Sequence, residues 1–147
     1  MIALLDVSVL VALFNGGHAD HDTAHDWFHD LCVDGWASCP LTENGLLRIL
    51  ANPAQESGFV PLPDLLNRLQ RFCATSDHHF WPDTISFRDS EAFDVRSIRG
   101  HRQLTDTYLL ALAVKRNGRF VTFDARASLA AVKGARRKHL EVIGATS

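Results

Sequence analysis

An apolar helix that ends in a tight turn constrains this chain more than any other segment. Residues 108–114 read Tyr-Leu-Leu-Ala-Leu-Ala-Val, without glycine or proline, and so predict a largely buried helix. The Thr105 hydroxyl suits the helix N-cap, which places Asp106 in the first turn, where the helix dipole favours an anion. Asn117 and Gly118 then predict the end of the helix.

The strand that follows this helix ends at a second carboxylate. Residues 119–123, Arg-Phe-Val-Thr-Phe, predict a short buried strand, and Asp124 comes directly after it. In a parallel sheet, helix starts and strand ends lie at the same edge, where ligands bind. Asp106 and Asp124 are therefore expected together at one ligand-binding edge.

Apolar strands and amphipathic helices alternate along the rest of the chain. Further strands are predicted at residues 2–5, 36–39, 79–82 and 140–143. Further helices are predicted at residues 7–14, 24–31, 43–50 and 65–72, the third with Thr42 as its N-cap, and a loop at 53–63. This order predicts a three-layer α/β/α sandwich with a central, mostly parallel sheet, formed as one domain by residues 1–147.

The composition excludes several classes of protein. Hydrophobic residues make up 46% of the 147 positions, so a globular fold is expected and not a disordered chain. No apolar run is long enough to span a membrane. The apolar N-terminus contains Asp6 and lacks basic residues, which argues against a signal peptide. Three cysteines without CxxC spacing favour a reducing cytoplasm.

Charge is unevenly distributed along the chain. Residues 1–50 carry seven acidic residues and one basic residue, whereas residues 101–147 carry three acidic and nine basic ones. Such a split can place a basic rim beside an acidic site, which suits a polyanion bound through metal. An ordinary basic surface explains the charge alone equally well.

Four acidic residues occupy equivalent places in the predicted fold. Asp6 and Asp124 end strands, while Glu43 and Asp106 begin helices. If the strands are parallel, all four face one crevice, and clustered carboxylates must protonate or bind a cation. Oxygen ligands at this density suit Mg²⁺ or Mn²⁺, although each acid taken singly is also explained as a helix cap or a solvated strand end.

Six basic residues of the second half are candidates for phosphate contacts: Arg102, Arg119, Arg126, Arg136, Arg137 and Lys138. Arginine suits this role because its guanidinium donates two parallel hydrogen bonds. Arg102 is favoured because it lies four residues before Asp106. A solvated surface charge remains the alternative for each of them.

The ordered set of acidic motifs resembles the PIN-domain ribonucleases and, more narrowly, the VapC-type toxins of toxin–antitoxin pairs. The motifs are Leu4-Leu5-Asp6 with Ser8, Thr42-Glu43, Leu104-Thr105-Asp106 and Thr122-Phe123-Asp124. The resemblance implies a PIN-like fold and an endoribonuclease that depends on Mg²⁺ or Mn²⁺. It implies that Asp6, Glu43, Asp106 and Asp124 form the catalytic, metal-binding quartet.

The same resemblance implies further contacts and partners. Ser8 and Thr105 match hydroxyl positions beside the site, and Arg102 and Arg126 are added to them as substrate-binding residues. A small antitoxin protein that inserts a segment over the acidic crevice is expected, and so is a homodimer. The middle segment, residues 86–100, matches no motif of the family.

Two other functions remain open from the residues alone. A PIN-like scaffold could bind RNA or a protein without cleaving it. A His/Asp metal phosphohydrolase could be built on residues 18–30, where His21 and His25 have the i, i+4 spacing of the HExxH zinc motif. Against the zinc motif, Asp22 replaces the glutamate and no third ligand is evident, so a solvated helix face is favoured.

Overall fold

A computed structural model describes residues 1–144, which form a parallel sheet covered by helices on both faces. Strands β1 to β5 span Ala3–Leu5, Trp36–Ser38, His78–Phe80, Arg119–Thr122 and Leu140–Val142, in the spatial order β3-β2-β1-β4-β5. Helices α1 to α5 span Val7–Phe14, His21–Leu31, Pro40–Leu50, Leu62–Thr75 and Leu104–Lys115. Neighbouring strands pair in parallel, which confirms the predicted α/β/α sandwich. Residues 145–147, the end of the predicted domain, lie outside the described residues.

Alternating side chains of the central strands enter two separate cores. Leu5 and Val121 pack with helices α1 to α4 on one face of the sheet, whereas Leu4 and Phe120 pack with α5 on the other. Helix α5 is buried at every position from residue 107 to 113, as its apolar run predicts. A helix that is apolar on all sides is buried, and this packing fixes the first turn of α5 against the edge of the sheet.

The end of α5 is set by a turn of the Schellman type. Asn117 adopts a positive φ of 53°, and its backbone N–H donates to the Val114 carbonyl at 3.1 Å. The Gly118 N–H donates to the Ala113 carbonyl at 2.8 Å. Both bonds satisfy carbonyls that the helix leaves free, so the predicted helix end is confirmed.

Two predicted N-caps are wrong because both helices begin earlier. Helix α3 starts at Pro40, whose fixed φ suits the first helical position. The Thr42 hydroxyl instead accepts a hydrogen bond from the Cys39 N–H at 3.0 Å. Helix α5 starts at Leu104 after a 3₁₀ turn, so Thr105 lies inside the first turn and not at the cap.

The connections differ slightly from those predicted. Helix α4 begins at Leu62, inside the predicted loop, and residues 86–100 hold one 3₁₀ turn at Val95–Ser97. No helix within residues 1–144 combines the length and the apolar composition needed to cross a membrane.

Gly118 provides a test of the packing of the turn after α5 against Trp81 and Ile2. A Cβ at this position would lie 2.5 Å from Cη2 of Trp81 and 2.7 Å from the backbone oxygen of Ile2. Because backbone cannot swing aside, Gly118→Ala should lower the free energy of unfolding by about 1–3 kcal/mol. The control is Gly16→Ala, where a Cβ meets nothing within 4 Å. Equal urea midpoints for the two variants would contradict this packing.

Candidate active site

Asp6 lies where β1 ends, and its carboxylate is held by helix α1 and strand β4. Its Oδ1 accepts from the Val7 N–H at 2.8 Å, which caps α1. Its Oδ2 accepts from the Ser8 hydroxyl at 3.1 Å and from the Thr122 hydroxyl of β4 at 2.6 Å. Burial raises the pKa of Asp6, and these hydrogen bonds oppose the rise. The carboxylate is therefore fixed in orientation although it is desolvated.

Asp106 lies in the first turn of α5 and is a second desolvated carboxyl at this edge. Burial is the first cause that raises its pKa to about 7, and the negative charges of Asp6 and Asp124 are the next. Asp106 and Asp124 line one cavity, and Asp6 and Asp124 follow the paired strands β1 and β4. Three acids that are far apart in the sequence therefore lie at one edge of the sheet.

Asp124 follows β4 and is the acid with a cationic partner. Its Oδ1 accepts from the backbone N–H of Arg126 at 2.9 Å and from the guanidinium Nε at 3.1 Å. These bonds hold the pKa of Asp124 below its usual value. The interaction between the two carboxyls raises the pKa of Asp106 and lowers that of Asp124.

Glu43 lies in the first turn of α3 and has a different set of neighbours. Its Oε2 accepts from the hydroxyl of Ser38, the last residue of β2, at 2.6 Å. The same hydroxyl lies 2.7 Å from Nε2 of His78 on β3, and burial lowers the pKa of this histidine. Glu43 therefore stands at the β2 end of the edge, next to a neutral imidazole and a buried hydroxyl.

Ser38 and His78 were not predicted as site residues. The rule that selected Asp6 and Asp124, a polar residue directly after a predicted strand, missed Ser38 because the predicted strand at residues 36–39 extends one residue beyond the observed β2. His78 begins its strand, and no signal in the sequence connects it with Glu43.

The predicted substrate-binding residues do not all lie in one place. Ser8 is exposed, but its hydroxyl donates to Asp6. Thr105 is exposed in the first turn of α5. Arg102 and Arg126 line a cavity of about 340 Å³ that also includes Asp106 and Asp124.

Comparison with known proteins identifies the family. The family model described as PIN domain matches residues 3–134. The chain belongs to the PIN-domain family. Ribonuclease VapC44 of Mycobacterium tuberculosis is 43% identical over 143 residues, which cover 97% of this chain and 100% of that protein. Two further proteins of that organism are similar: Ribonuclease VapC39, 38% identical over 85% of this chain and 90% of its own, and Ribonuclease VapC38, 42% identical over 84% and 86%.

The acidic residues of this PIN domain are the type of ligand that a hard divalent cation prefers. They offer carboxylate oxygens, and Asp106 is a desolvated carboxyl without a cation of its own. Within residues 1–144, however, no three Asp, Glu, His or Cys side chains stand close enough together to hold a metal ion. The absence of such a cluster is consistent with the coulombic effect on the pKa of Asp106, because charges affect one another over distances longer than metal–ligand bonds. A metal ion held by all three aspartates would require their side chains to lie closer together and the exposed Arg126 side chain to move away from Asp124.

The histidine-rich helix α2 of the PIN domain does not assemble a zinc site. His21 Nδ1 lies 2.7 Å from the Ala12 carbonyl, and His29 pairs with its neighbour Asp30 at 2.8 Å. No metal-binding group is found along this helix, which lies wholly within the described residues. The i, i+4 histidines are better explained as a polar helix face.

The raised pKa of Asp106 predicts how metal-free stability depends on pH. The folded pKa of about 7 exceeds the usual 3.8, so between these values the folded state keeps a proton that the unfolded state has lost. Stability from this group is therefore lost as pH rises through that window. Asp106→Asn abolishes the loss, so its melting temperature relative to wild type should increase from about pH 5 to pH 8 in chelator.

Asp64→Asn is the matched control for this measurement. Asp64 is likewise the third residue of its helix, α4, but is exposed. Its melting temperature relative to wild type should be nearly constant over the same range. Parallel pH curves for wild type and Asp106→Asn would show that Asp106 is not desolvated.

Proposed function

We propose that this PIN domain is a toxin endoribonuclease of a toxin–antitoxin pair and hydrolyses RNA phosphodiester bonds. The observation that supports the proposal is the position of Asp6, Asp106 and Asp124 at one edge of the sheet: Asp6 and Asp124 follow the paired strands β1 and β4, and Asp106 lines a cavity with Asp124. Relatives that are 38–43% identical over 84–97% of the chain, all named as ribonucleases, also support it. The arginines that line the adjacent cavity supply positive charge for a polyanion.

The three aspartates are proposed as ligands of Mg²⁺ or Mn²⁺, with Glu43 orienting the attacking water or holding a second ion. When bound, the cation lowers the pKa of water and neutralises charge on the phosphate. The hydroxyls of Ser8 and Thr122 fix the Asp6 carboxylate in one orientation. Released from Asp124, the Arg126 guanidinium would be free to donate to phosphate oxygens, and Arg102, which lines the same cavity, is proposed to donate to them as well.

We also propose that residues 1–147 form one domain, that a small antitoxin covers the acidic crevice, and that the protein is a homodimer with a cytoplasmic location. The non-cleaving scaffold is disfavoured because all four acids are present. The His/Asp phosphohydrolase is disfavoured because His21 bonds to backbone.

Loss of one aspartate should abolish RNA cleavage while the fold remains. Asp106→Asn keeps the size of the side chain but removes a charge needed by a cation, so the cleavage rate should fall by about 10²- to 10⁴-fold. Asp6→Asn should behave alike, and combining the two should add little because the groups act as one unit. The measurement is cleavage of total RNA by purified protein with Mn²⁺, with and without chelator.

Asp64→Asn, which also removes an acid from a first helical turn, should cleave like wild type. In cells, wild type expressed without antitoxin should arrest growth and Asp106→Asn should not. Full activity of Asp106→Asn, or cleavage that resists chelator, would disprove the metal-dependent mechanism.

The histidine alternative is tested by a separate double variant. His25→Gln with His29→Gln changes two exposed side chains of α2, so RNA cleavage should stay within about three-fold of wild type, as surface changes usually do. A loss as deep as that of Asp106→Asn, together with bound zinc, would favour the phosphohydrolase.

A further inference from the structure

We infer that Ser38 and His78 are positioning residues of the nuclease, which hold the Glu43 carboxylate in one orientation at the edge of the sheet. The inference rests on the proposed function, in which Glu43 orients the attacking water or holds a second ion. It adds the two residues through which the fold controls Glu43. Both act through Glu43 and not on the substrate.

The hydrogen bonds that join these three residues have one direction. Ser38 Oγ lies 2.6 Å from Oε2 of Glu43 and 2.7 Å from Nε2 of His78. A hydroxyl has one hydrogen and an ionised carboxylate can only accept, so Ser38 donates to Glu43. The hydroxyl oxygen then accepts from His78, whose hydrogen must be on Nε2. Glu43 is thereby held through Oε2, and its other oxygen, Oε1, is left for water or an ion.

Burial of the hydroxyl makes this arrangement specific. Ser38 is 0% exposed, so its hydroxyl cannot exchange these partners for bulk water. Glu43 is half-buried, and a glutamate without a fixed partner samples several rotamers. The bond to the buried hydroxyl selects the rotamer that reaches Ser38. The carboxylate is therefore oriented before RNA or a cation binds.

The His78 ring is itself fixed by packing. Its centroid lies 4.5 Å from that of the Trp36 ring, and Trp36 is 1% exposed. Nε1 of Trp36 donates to the Ser76 hydroxyl at 2.9 Å, which holds the indole in place. Burial lowers the pKa of His78 and so favours the neutral ring. A neutral ring that donates to Ser38 carries its hydrogen on Nε2 alone.

Glu43 lies close to the aspartates, so its orientation bears on their chemistry. Strands β1 and β2 pair in parallel, which places Ser38, at the end of β2, beside the end of β1. A Cβ at Gly45 would lie 2.5 Å from Cγ2 of Val7, so α3 packs directly against the residue that follows Asp6. The first turn of α3, which carries Glu43, is thus next to the end of β1.

Strand β3 provides a matched control in His79. Trp36, which pairs with His78, packs in the core with helices α1 to α4, whereas Ala37, which pairs with His79, packs in the core with α5. The two histidines therefore face opposite sides of the sheet. His79 forms an ion pair with Asp77 at 3.1 Å. A change at His79 alters the same strand without reaching Ser38.

The kinetic experiment measures RNA cleavage by purified protein with Mn²⁺. Ser38→Ala and His78→Phe should lower kcat about 10- to 100-fold, because both remove a hydrogen bond that orients Glu43. KM should stay within about twofold, since neither residue binds RNA. His78→Gln, whose amide can donate to Ser38, should restore kcat to within about threefold of wild type. His79→Phe should cleave like wild type.

The two substitutions of His78 separate positioning from packing. Phenylalanine keeps an aromatic ring against Trp36 but cannot donate, whereas glutamine can donate but has no ring. Equal losses of kcat in His78→Phe and His78→Gln would show that the ring only packs and would overturn the inference. In a Glu43→Ala background, Ser38→Ala should change kcat less than about threefold, because the residues act as one unit.

A measurement without metal or RNA tests the hydrogen bonds themselves. Nitrogen NMR of isotope-labelled wild type should show His78 with hydrogen on Nε2 and none on Nδ1, and Ser38→Ala should speed exchange of that hydrogen with water. Hydrogen on Nδ1 alone would overturn the inference whatever the activity. If wild type cleaves RNA but Ser38→Ala and His78→Phe cleave equally fast, the inference fails and the proposed function stands. If wild type cleaves no RNA with any metal while the Nε2 hydrogen is present, the proposed function fails instead.

Discussion

The hydrogen bond from Thr122 to Asp6, 2.6 Å long, joins residues 116 positions apart, and the candidate site depends on it. It exists because β1 and β4 are parallel neighbours in the register Leu5 to Val121. The Asp6 N–H donates to the Val121 carbonyl at 2.9 Å, so the same pairing fixes both the backbone and the carboxylate. Asp124 lies two residues beyond Thr122 and is thereby brought to the same edge. The buried helix α5 adds Asp106 from above the sheet face that holds Leu4 and Phe120.

This arrangement forces carboxylates together against their mutual repulsion. Two effects offset this repulsion in the metal-free protein: the pKa of Asp106 rises to about 7, which favours its protonated form below that pH, and Asp124 pairs with the guanidinium of Arg126. Both effects are reversible, because a proton can dissociate and an exposed arginine side chain can move away. A fold that keeps such a cluster at a cost in stability is expected where the cluster has a function. A bound divalent cation would compensate the carboxylate charges in place of both the proton on Asp106 and the guanidinium of Arg126.

Much of this architecture could be predicted from the sequence because it depends on local patterns. The bounds of α1 are as predicted, and so is the end of α5, since apolar runs and the Asn117-Gly118 turn act within a few residues. The shared edge for Asp6, Asp106 and Asp124 followed from the parallel sheet. The local pattern predicted a wrong N-cap at Thr42, because Pro40, two residues earlier, starts the helix.

Other features could not be predicted because they depend on tertiary contacts between distant residues. The Ser38 hydroxyl that binds Glu43 also contacts His78, 40 residues further on. Periodicity and spacing carry no information on such contacts.

Three aspartates from opposite ends of the chain are proposed to form one metal site. A Mn²⁺ titration of the purified protein, with bound ion measured by electron paramagnetic resonance, tests this site directly. Wild type should bind Mn²⁺, and Asp6→Asn, Asp106→Asn and Asp124→Asn should each lose most of the affinity while Asp64→Asn keeps it. Binding as tight as that of wild type in any one of the three aspartate variants would show that the three do not form one site.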